Sequence, residues 1–208
     1  FLGTRGTFDA SSLSSFLVAR NDCALFITER LWYRFISSSQ PLGDQTLVNS
    51  FKDRDIASLV KAIGTHRALD DENNAMVKSP LDWFIATCRA LNITPSQFSN
   101  VGALRNNLNL LGQVPFFPPN VGGWPVDQAW LSTSSAQYRI SFATSLIKEG
   151  DLSPLENLPA RNRIDGLADW LGVAEWSSRT KLALTGARKD PARMTLLALC
   201  SPEYVVSA

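Results

Sequence analysis

The sequence predicts an all-α fold, an irregular multi-helix bundle with one long loop rich in proline, glycine and tryptophan. Apolar side chains recur every three or four positions along most of the 208 residues, which is the spacing of a buried helix face. Residues that cap helix ends stand beside several of these apolar runs. No segment shows the strict two-residue alternation, bounded by turn residues, that a β-sheet requires.

Composition and charge place the chain among ordinary globular proteins. Hydrophobic residues make up 45% of the sequence and charged residues 19%, enough to bury a sizeable core. Twenty basic and nineteen acidic side chains leave a net charge of +1, so no overall field attracts phosphate backbones or anionic membranes. No apolar run approaches the roughly 20 residues that cross a bilayer. The sequence therefore predicts neither a nucleic-acid partner nor a membrane span.

Two helices joined by a tight break are predicted near the start of the chain. Asp9 can cap the first helix, and Asn21 or Asp22 can begin the second. The apolar faces predict which positions are buried. They are Leu13, Phe16 and Leu17 in the first helix, then Ala24, Thr28, Leu31 and Phe35 in the second, with Leu25, Trp32 and Ile36 beside them.

Caps and stop signals predict the helices that follow. Asp53 or Asp55 opens a helix that ends near Gly64, and Ser79 supplies a cap before Pro80, a favoured first-turn residue. Other helices are predicted around Leu47 and Phe51, from Pro95 or Ser96 to Gly112, on the face Leu131, Tyr138, Phe142 and Leu146, and in three segments over 164–171, from 176, and over 191–200.

The segment 113–130 differs from the rest of the chain. Prolines at 115, 118, 119 and 125 remove backbone donors, so an irregular loop held by side chains is predicted. Trp124 and Trp130 can anchor this loop in the core, or stack on a sugar ring or a peptide. Gln113 and Asn120 can cap helix ends or face a ligand.

The helices suggest how the chain is organised. Residues 1–150 are expected to form a main helical body that includes the loop 113–130. Residues 151–208 are expected to form a C-terminal helical group packed on that body, with a hinge over 150–159. One compact domain is the simplest arrangement for this length.

Known catalytic motifs are missing from the sequence. It contains no Gly-x-Ser-x-Gly elbow, phosphate-binding loop, dinucleotide fingerprint or zinc-binding helix motif. His66, beside Arg67, is interpreted as a polar residue at a helix end. Cys23, Cys88 and Cys200 lack metal-type spacing and are interpreted as buried free thiols. The sequence leaves the catalytic residues unknown and predicts no metal site and no cofactor.

Two cations are candidate ligand-binding residues beside Gln113, Asn120, Trp124 and Trp130. Lys78 lies just before the predicted cap at Ser79. Arg139 follows Tyr138 on the long helix, and its forked guanidinium can bond several carbonyl groups of the proline-rich loop. The same fork can instead bind a carboxylate or phosphate ligand. Both interpretations stay open.

Three stretches of the sequence resemble a known family. They are FLGTRG at 1–6, VKSP at 77–80 running into RAL at 89–91, and LGQVPFFPPNVGGWP at 111–125 leading to WL at 130–131. The ending SPEY at 201–204 is also similar. Together they resemble the C-terminal half of the bacterial family of unknown function called DUF1800, and the proline-rich loop is the most specific part of the likeness.

The resemblance implies a cellular location for the protein but no activity. Members of the family are about twice this length, carry histidine-rich segments in the N-terminal half, and often look exported. The resemblance therefore implies a cell-envelope or extracellular location. The chain begins at Phe1 without signal-peptide features, so a fragment or processed product is expected. The expected partner is the missing N-terminal half of the same protein or an envelope protein.

Three functions fit these observations. The first is a non-catalytic helical module that acts in assembly or partner binding. The second is part of a hydrolase-type enzyme acting on envelope or extracellular polymers. The third is a carbohydrate- or peptide-binding module that uses Trp124 and Trp130.

Overall fold

The computed structural model describes residues 1–207, and within them the predicted all-α class is confirmed. The helices are α1 (Ala10–Ala19), α2 (Asn21–Phe35), α3 (Gln45–Ser50), α4 (Ile56–Gly64), α5 (Pro80–Ala90), α6 (Val101–Leu111), α7 (Thr133–Glu149), α8 (Ser153–Glu156), α9 (Arg163–Leu171), α10 (Ser178–Ala187), α11 (Pro191–Leu199) and α12 (Pro202–Val205). The described residues also contain two short antiparallel strands, β1 (Met76–Val77) and β2 (Val206–Ser207).

Helix starts follow the caps that the sequence predicts. The side chains of Asp9, Asp55 and Ser79 accept backbone N–H groups at the starts of α1, α4 and α5. The start of α6 differs from the prediction. Residues Pro95–Gln97 form a separate 3₁₀ turn, and α6 begins after its own cap at Asn100.

The described chain folds into two compact units, Phe1–Ala75 and Met76–Ser207. Residues 151–207 fall in the second unit together with residues 76–150. This grouping divides the chain at residue 75, whereas the sequence suggested a division near residue 150. The predicted main body and C-terminal group stay a prediction about folding units.

The core of the first unit lies between α2, α3 and α4. The buried face of α2 carries Ala24, Thr28 and Trp32 at four-residue spacing. The predicted burial of Leu25 and Phe35 is wrong, because both are exposed: Leu25 borders this face, and Phe35 is the last residue of the helix. The rest of this core consists of Ile36, Leu47, Val48, Phe51, Leu59 and Ile63.

The core of the second unit surrounds α7, which packs against α5, α6 and α11. Phe142 and Leu146 are buried on α7 as predicted, but Leu131 and Tyr138 are exposed. Ser135 and Arg139 occupy the buried stripe instead. The helix was therefore predicted correctly but its buried face partly wrongly, because polar residues were expected to lie outside.

Gly112 ends α6 and leads into the proline-rich loop. Its φ of +96° is a left-handed conformation that glycine adopts without strain. A Cβ at this position would lie 3.3 Å from the ring of Trp130. Gly112 therefore both ends the helix and admits the indole that anchors the loop.

The helices are too short or too polar for a membrane span. Over residues 1–207, none of them combines the length and apolar character needed to cross a bilayer.

Candidate functional site

All six predicted ligand-binding residues lie in the second unit, but their contacts differ. Gln113 accepts a hydrogen bond from the backbone N–H of Leu81 at 2.9 Å, in the first turn of α5. Trp130 is only 4% exposed and packs beside Gly112. These contacts match the structural roles considered for both residues, helix capping and loop anchoring. Ligand binding by either residue stays a prediction.

Lys78 ties the end of the chain to the start of α5. Its Nζ donates to the carbonyl oxygen of Tyr204 at 2.7 Å and lies 4.2 Å from the centre of the Tyr204 ring. Burial lowers the pKa of Lys78, while nearby Asp82 raises it. Because the ammonium group already has both a carbonyl and an aromatic partner, its observed contacts hold α12 in place.

An open groove of about 580 Å³ separates α6 from the proline-rich loop. Trp124 lines this groove, whereas Asn120 lies in the exposed loop and accepts from the N–H of Gly122 at 2.8 Å. Arg105 also faces the groove, with its guanidinium carbon 4.9 Å from the Phe117 ring centre. Of the two predicted indoles, only Trp124 lies in a position open to a ligand. Saccharide or peptide binding through it stays a prediction.

The groove includes polar residues that sequence reasoning missed. Asn106 and Asn109 line it together with Arg105. Their spacing of three and four positions places them on one face of α6, and this is the signal that could have identified them. The sequence prediction for that helix rested on its apolar face alone.

Arg139 stands apart from the other candidates because two of its buried nitrogens have no hydrogen-bond partner among the described residues. Its residue is 4% exposed, and both Nε and Nη2 lack a hydrogen-bond partner among the described residues. These two nitrogens therefore do not form the predicted hydrogen bonds to carbonyl groups of the proline-rich loop. The guanidinium carbon lies 5.8 Å from the ring centre of Trp83, within cation–π range.

Ser135 shares the buried face of α7 with Arg139, one helical turn earlier. Its backbone N–H donates to Ser132, the cap of α7, at 3.0 Å. Its own hydroxyl oxygen is buried and has no partner among residues 1–207. Sequence reasoning missed that Ser135 and Arg139 share a buried face, although their four-residue spacing in line with Phe142 was a visible signal.

The electrostatic partner of Arg139 among the described residues is a thiol, Cys200. Burial lowers the pKa of Arg139, and Cys200 opposes this shift only in its charged thiolate form. Burial in turn raises the pKa of Cys200 to about 11, so that thiol stays protonated and neutral at pH 7. A guanidinium remains charged at that pH, so the site holds one buried positive charge.

Burial raises the thiol pKa of a second cysteine. The pKa of Cys88 rises to about 11, as does that of Cys200. Of the three free thiols, Cys88 is buried as predicted, whereas Cys23 and Cys200 are half-buried. Cys88 and Cys200 are therefore poor nucleophiles at neutral pH.

His66 belongs to the first unit and uses both ring nitrogens. Its Nδ1 accepts from the backbone N–H of Ala68 at 3.2 Å, so the proton of the neutral ring is on Nε2. Nε2 lies 3.1 Å from the carboxylate of Asp44. The ring caps the 3₁₀ turn Arg67–Asp70, and neither nitrogen is free to act as a base.

Side chains that ligate metals do not cluster in the part of the chain that the structure describes. Within residues 1–207, no group of three or more histidine, cysteine, aspartate or glutamate side chains has a geometry that could hold a metal ion.

Glu203, in the SPEY ending, binds the start of α10. Its carboxylate accepts from the Ser177 N–H and from the Thr180 hydroxyl, each at 3.0 Å. Burial by itself raises the pKa of Glu203, but these hydrogen bonds outweigh it and lower the pKa to about 2. The charged form of Glu203 therefore stabilises the fold.

We expect this carboxylate to make the protein acid-sensitive. Its folded pKa lies below the ordinary value of 4.5, so its stabilisation is complete above about pH 4.5 and is lost as the pH falls toward about 2. Glu203→Gln should flatten the decline in unfolding midpoint across this window, measured by circular dichroism at a series of pH values. Exposed Glu175→Gln is the control, and an equal effect of both substitutions would contradict this role.

The comparisons with known proteins agree with the sequence motifs. The family model described as "Protein of unknown function (DUF1800)" matches residues 1–206. No curated protein and no solved structure matches the chain. Because the family match extends over nearly all of the 208 residues, the chain belongs to the DUF1800 family.

Proposed function

We propose that this chain is a non-catalytic helical module that binds a polypeptide partner through the apolar surface of α1 and α2. The observation that carries the proposal is an open apolar hollow of about 550 Å³ in the first unit. Its apolar lining is Leu2, Leu17, Val18, Cys23, Leu25, Phe26 and Ile27. Clustered exposed apolar residues of this kind mark interaction surfaces.

The first helix strengthens the proposal. No residue of α1 is fully buried: Leu13 and Phe16 are half-buried, and the predicted burial of Leu17 is wrong because it is exposed. An isolated ten-residue helix is marginal in water, and most of the stability of such a helix comes from packing of its apolar face. A partner that covers α1 would supply that packing.

The hollow is also held in shape before any partner arrives. Arg54 donates from Nε to the carbonyl of Val18 and from Nη2 to the carbonyl of Arg20, both at 2.8 Å. These bonds hold the break between α1 and α2. A preformed surface loses less conformational freedom on binding and favours association.

The partner that fits is a polypeptide presenting an apolar helix face. The rim of the hollow carries Arg20, paired with Asp22 at 2.7 Å, and Glu29. Charges of both signs at a rim suit a protein surface with polar edges. The partner we propose is another part of the same protein or an envelope protein, in the cell envelope or outside the cell. The bacterial and exported setting is part of this proposal.

Site-specific photo-crosslinking in the full-length protein tests the proposal. A benzoylphenylalanine in place of Phe26, which is 60% exposed in the hollow, should give one discrete adduct. Leu182, which is 75% exposed on α10 and outside the hollow, is the matched control position. Val18→Asp should suppress the adduct at position 26 at least tenfold, because a buried unpaired carboxylate opposes association.

The outcomes separate the possible partners. An intramolecular adduct identifies another part of the same protein, and an intermolecular adduct identifies a second chain. Equal adduct yields at positions 26 and 182, or an adduct insensitive to Val18→Asp, would contradict binding through this hollow. The hydrolase alternative stays a prediction, since the described contacts of Lys78, Asn120 and Arg139 are to different groups.

A further inference from the structure

Two buried nitrogens of the Arg139 guanidinium have no hydrogen-bond acceptor among the described residues. A buried cation is strongly disfavoured unless an opposite charge and hydrogen-bond acceptors compensate it. Nε and Nη2 of Arg139 are buried and have no hydrogen-bond acceptor among residues 1–207. Buried polar groups in folded proteins are otherwise satisfied, so exceptions of this kind point to a function or a ligand.

The two free nitrogens form one edge of the guanidinium. Nε and Nη2 project parallel N–H bonds, and this edge matches the two oxygens of a carboxylate. The same chain contains this arrangement at Arg20, where Nε and Nη2 bond the Asp22 carboxylate at 2.9 and 2.7 Å. Arg139 presents the same edge without the acceptor.

Ser135 adds a third donor to the same face. Its hydroxyl is buried, unpartnered among the described residues, and one helical turn from Arg139. A hydroxyl at this spacing can donate to one oxygen of an anion held by the guanidinium. Two independent side chains therefore lack acceptors on one buried stripe of α7.

The charge and shape of the site select the class of ligand. One guanidinium supplies a single positive charge, and the neighbouring Cys200 thiol is neutral. The guanidinium carbon lies 5.8 Å from the centre of the Trp83 ring, and the Nε–Nη2 edge has no acceptor among residues 1–207. We infer that Arg139 and Ser135 bind a carboxylate group, with two N–H bonds from Arg139 and one O–H bond from Ser135.

This inference goes beyond the proposed partner binding and does not depend on it. The carboxylate has two possible sources. A small carboxylic acid can supply it from solution, or an aspartate or glutamate side chain of another polypeptide segment can supply it. The chemistry is the same in both cases, so the two sources differ only in whether added acid can occupy the site.

The direct test is the ¹⁵N–¹H resonance of the Arg139 Nε group. In the purified 208-residue chain, sodium acetate at constant ionic strength should shift this resonance saturably, whereas sodium chloride should not. Ser135→Ala should weaken the apparent affinity about tenfold, because one hydrogen bond to a charged group is lost. Arg139→Met removes the resonance itself, so its effect is measured by thermal unfolding.

Thermal unfolding provides the second measurement. Acetate at about 100 times its dissociation constant should raise the midpoint of the wild-type chain by about 5–10 °C, and Arg139→Met should abolish the rise. Arg20→Met is the matched control and should retain it. Arg139→Lys should keep the charge but lose the two-bond geometry, and with it most of the acetate response.

Each outcome bears on the inference. Saturation by acetate identifies a free carboxylate site. A resonance already at the bound position in the full-length protein, and unmoved by acetate, identifies a carboxylate supplied by polypeptide. The inference is overturned if neither protein shows such a resonance and Arg139→Met raises the midpoint equally in acetate and chloride. Partner binding at position 26 would be unaffected by that result.

Discussion

Trp83→Ala should destabilise the second unit by about 3–5 kcal/mol, the cost of removing a fully buried large aromatic side chain. Trp83 is 0% exposed, and its ring lies 6.3 Å from the ring of Phe142 on α7. Its indole N–H donates to the carbonyl of Leu199 at 2.8 Å, joining α5 to α11. The substitution removes core volume and also leaves a buried carbonyl without its donor.

Urea unfolding followed by circular dichroism measures this effect as a lower midpoint. Trp83→Phe should lose less, about 1–3 kcal/mol, because it keeps most of the apolar contact but not the N–H group. Trp124→Ala, at a half-buried ring in the groove, is the matched control and should cost less than either. Equal losses from Trp83→Ala and Trp124→Ala would show that Trp83 is not a central part of the core.

Gly150→Ala should destabilise the same unit by about 1–3 kcal/mol, because a single added methyl group has no room. A Cβ at position 150 would lie 2.7 Å from the Cβ of Leu91 and 3.1 Å from the carbonyl oxygen of Leu146. Leu91 is fully buried, and its carbonyl accepts from the N–H of Asp151 at 2.8 Å. The backbone at Leu91 therefore has no freedom to move aside.

A second glycine separates crowding from conformational effects. Gly150 has a φ of −93°, which any residue can adopt, so its substitution tests space alone. Gly186 lies within α10, and a methyl group added there would meet nothing within 4 Å. Gly186→Ala should therefore stabilise by about 0.5–1 kcal/mol through helix propensity. Chemical denaturation of both variants checks the pair, and effects of the same sign would contradict the crowding at Gly150.

These contacts give a different reason for the glycine at the start of the predicted hinge near residue 150. Glycine and proline over 150–159 were interpreted from the sequence as signs of a flexible connection. Gly150 instead permits a close backbone approach to Leu91. Sequence alone does not distinguish a glycine needed for flexibility from one needed for space, because the neighbour that demands the space lies on a distant part of the chain.

The candidate ligand-binding residues also differ in how much of their role the sequence predicted. Gln113 and Trp130 were predicted with a structural alternative, and their contacts with Leu81 and Gly112 match that alternative. The sequence predicted that Arg139 binds either carbonyl groups of the proline-rich loop or an anion. Its Nε and Nη2 atoms have no hydrogen-bond partner among residues 1–207, and we propose that they bind an anion. The hollow in the first unit was not predicted, because apolar residues such as Leu17 and Phe26 look like ordinary core residues in the sequence.

Local chemistry was sufficient to predict most of the longer helices of this chain, whereas the short helices α8, inside the predicted hinge, and α12 were not predicted. Side chains such as Asp9, Asp55 and Ser79 bond backbone groups two or three residues away, and apolar spacing follows the helical period. Both signals act within a few residues, so they can be interpreted without knowing the fold. The family could also be identified from short motifs, above all the proline-rich loop.

Tertiary packing alone decided which apolar faces are covered and which polar groups are left without partners. Phe26 is exposed and Arg139 is buried, the opposite of what their side chains favour in isolation. Burial depends on residues far apart in the chain, such as Trp83 and Leu199 around α7, and no local pattern specifies them. The buried guanidinium, which carries one proposal, depends on that long-range packing. The hollow, which carries the other, is lined by residues close in sequence, from Leu2 to Glu29, that distant parts of the described chain leave exposed.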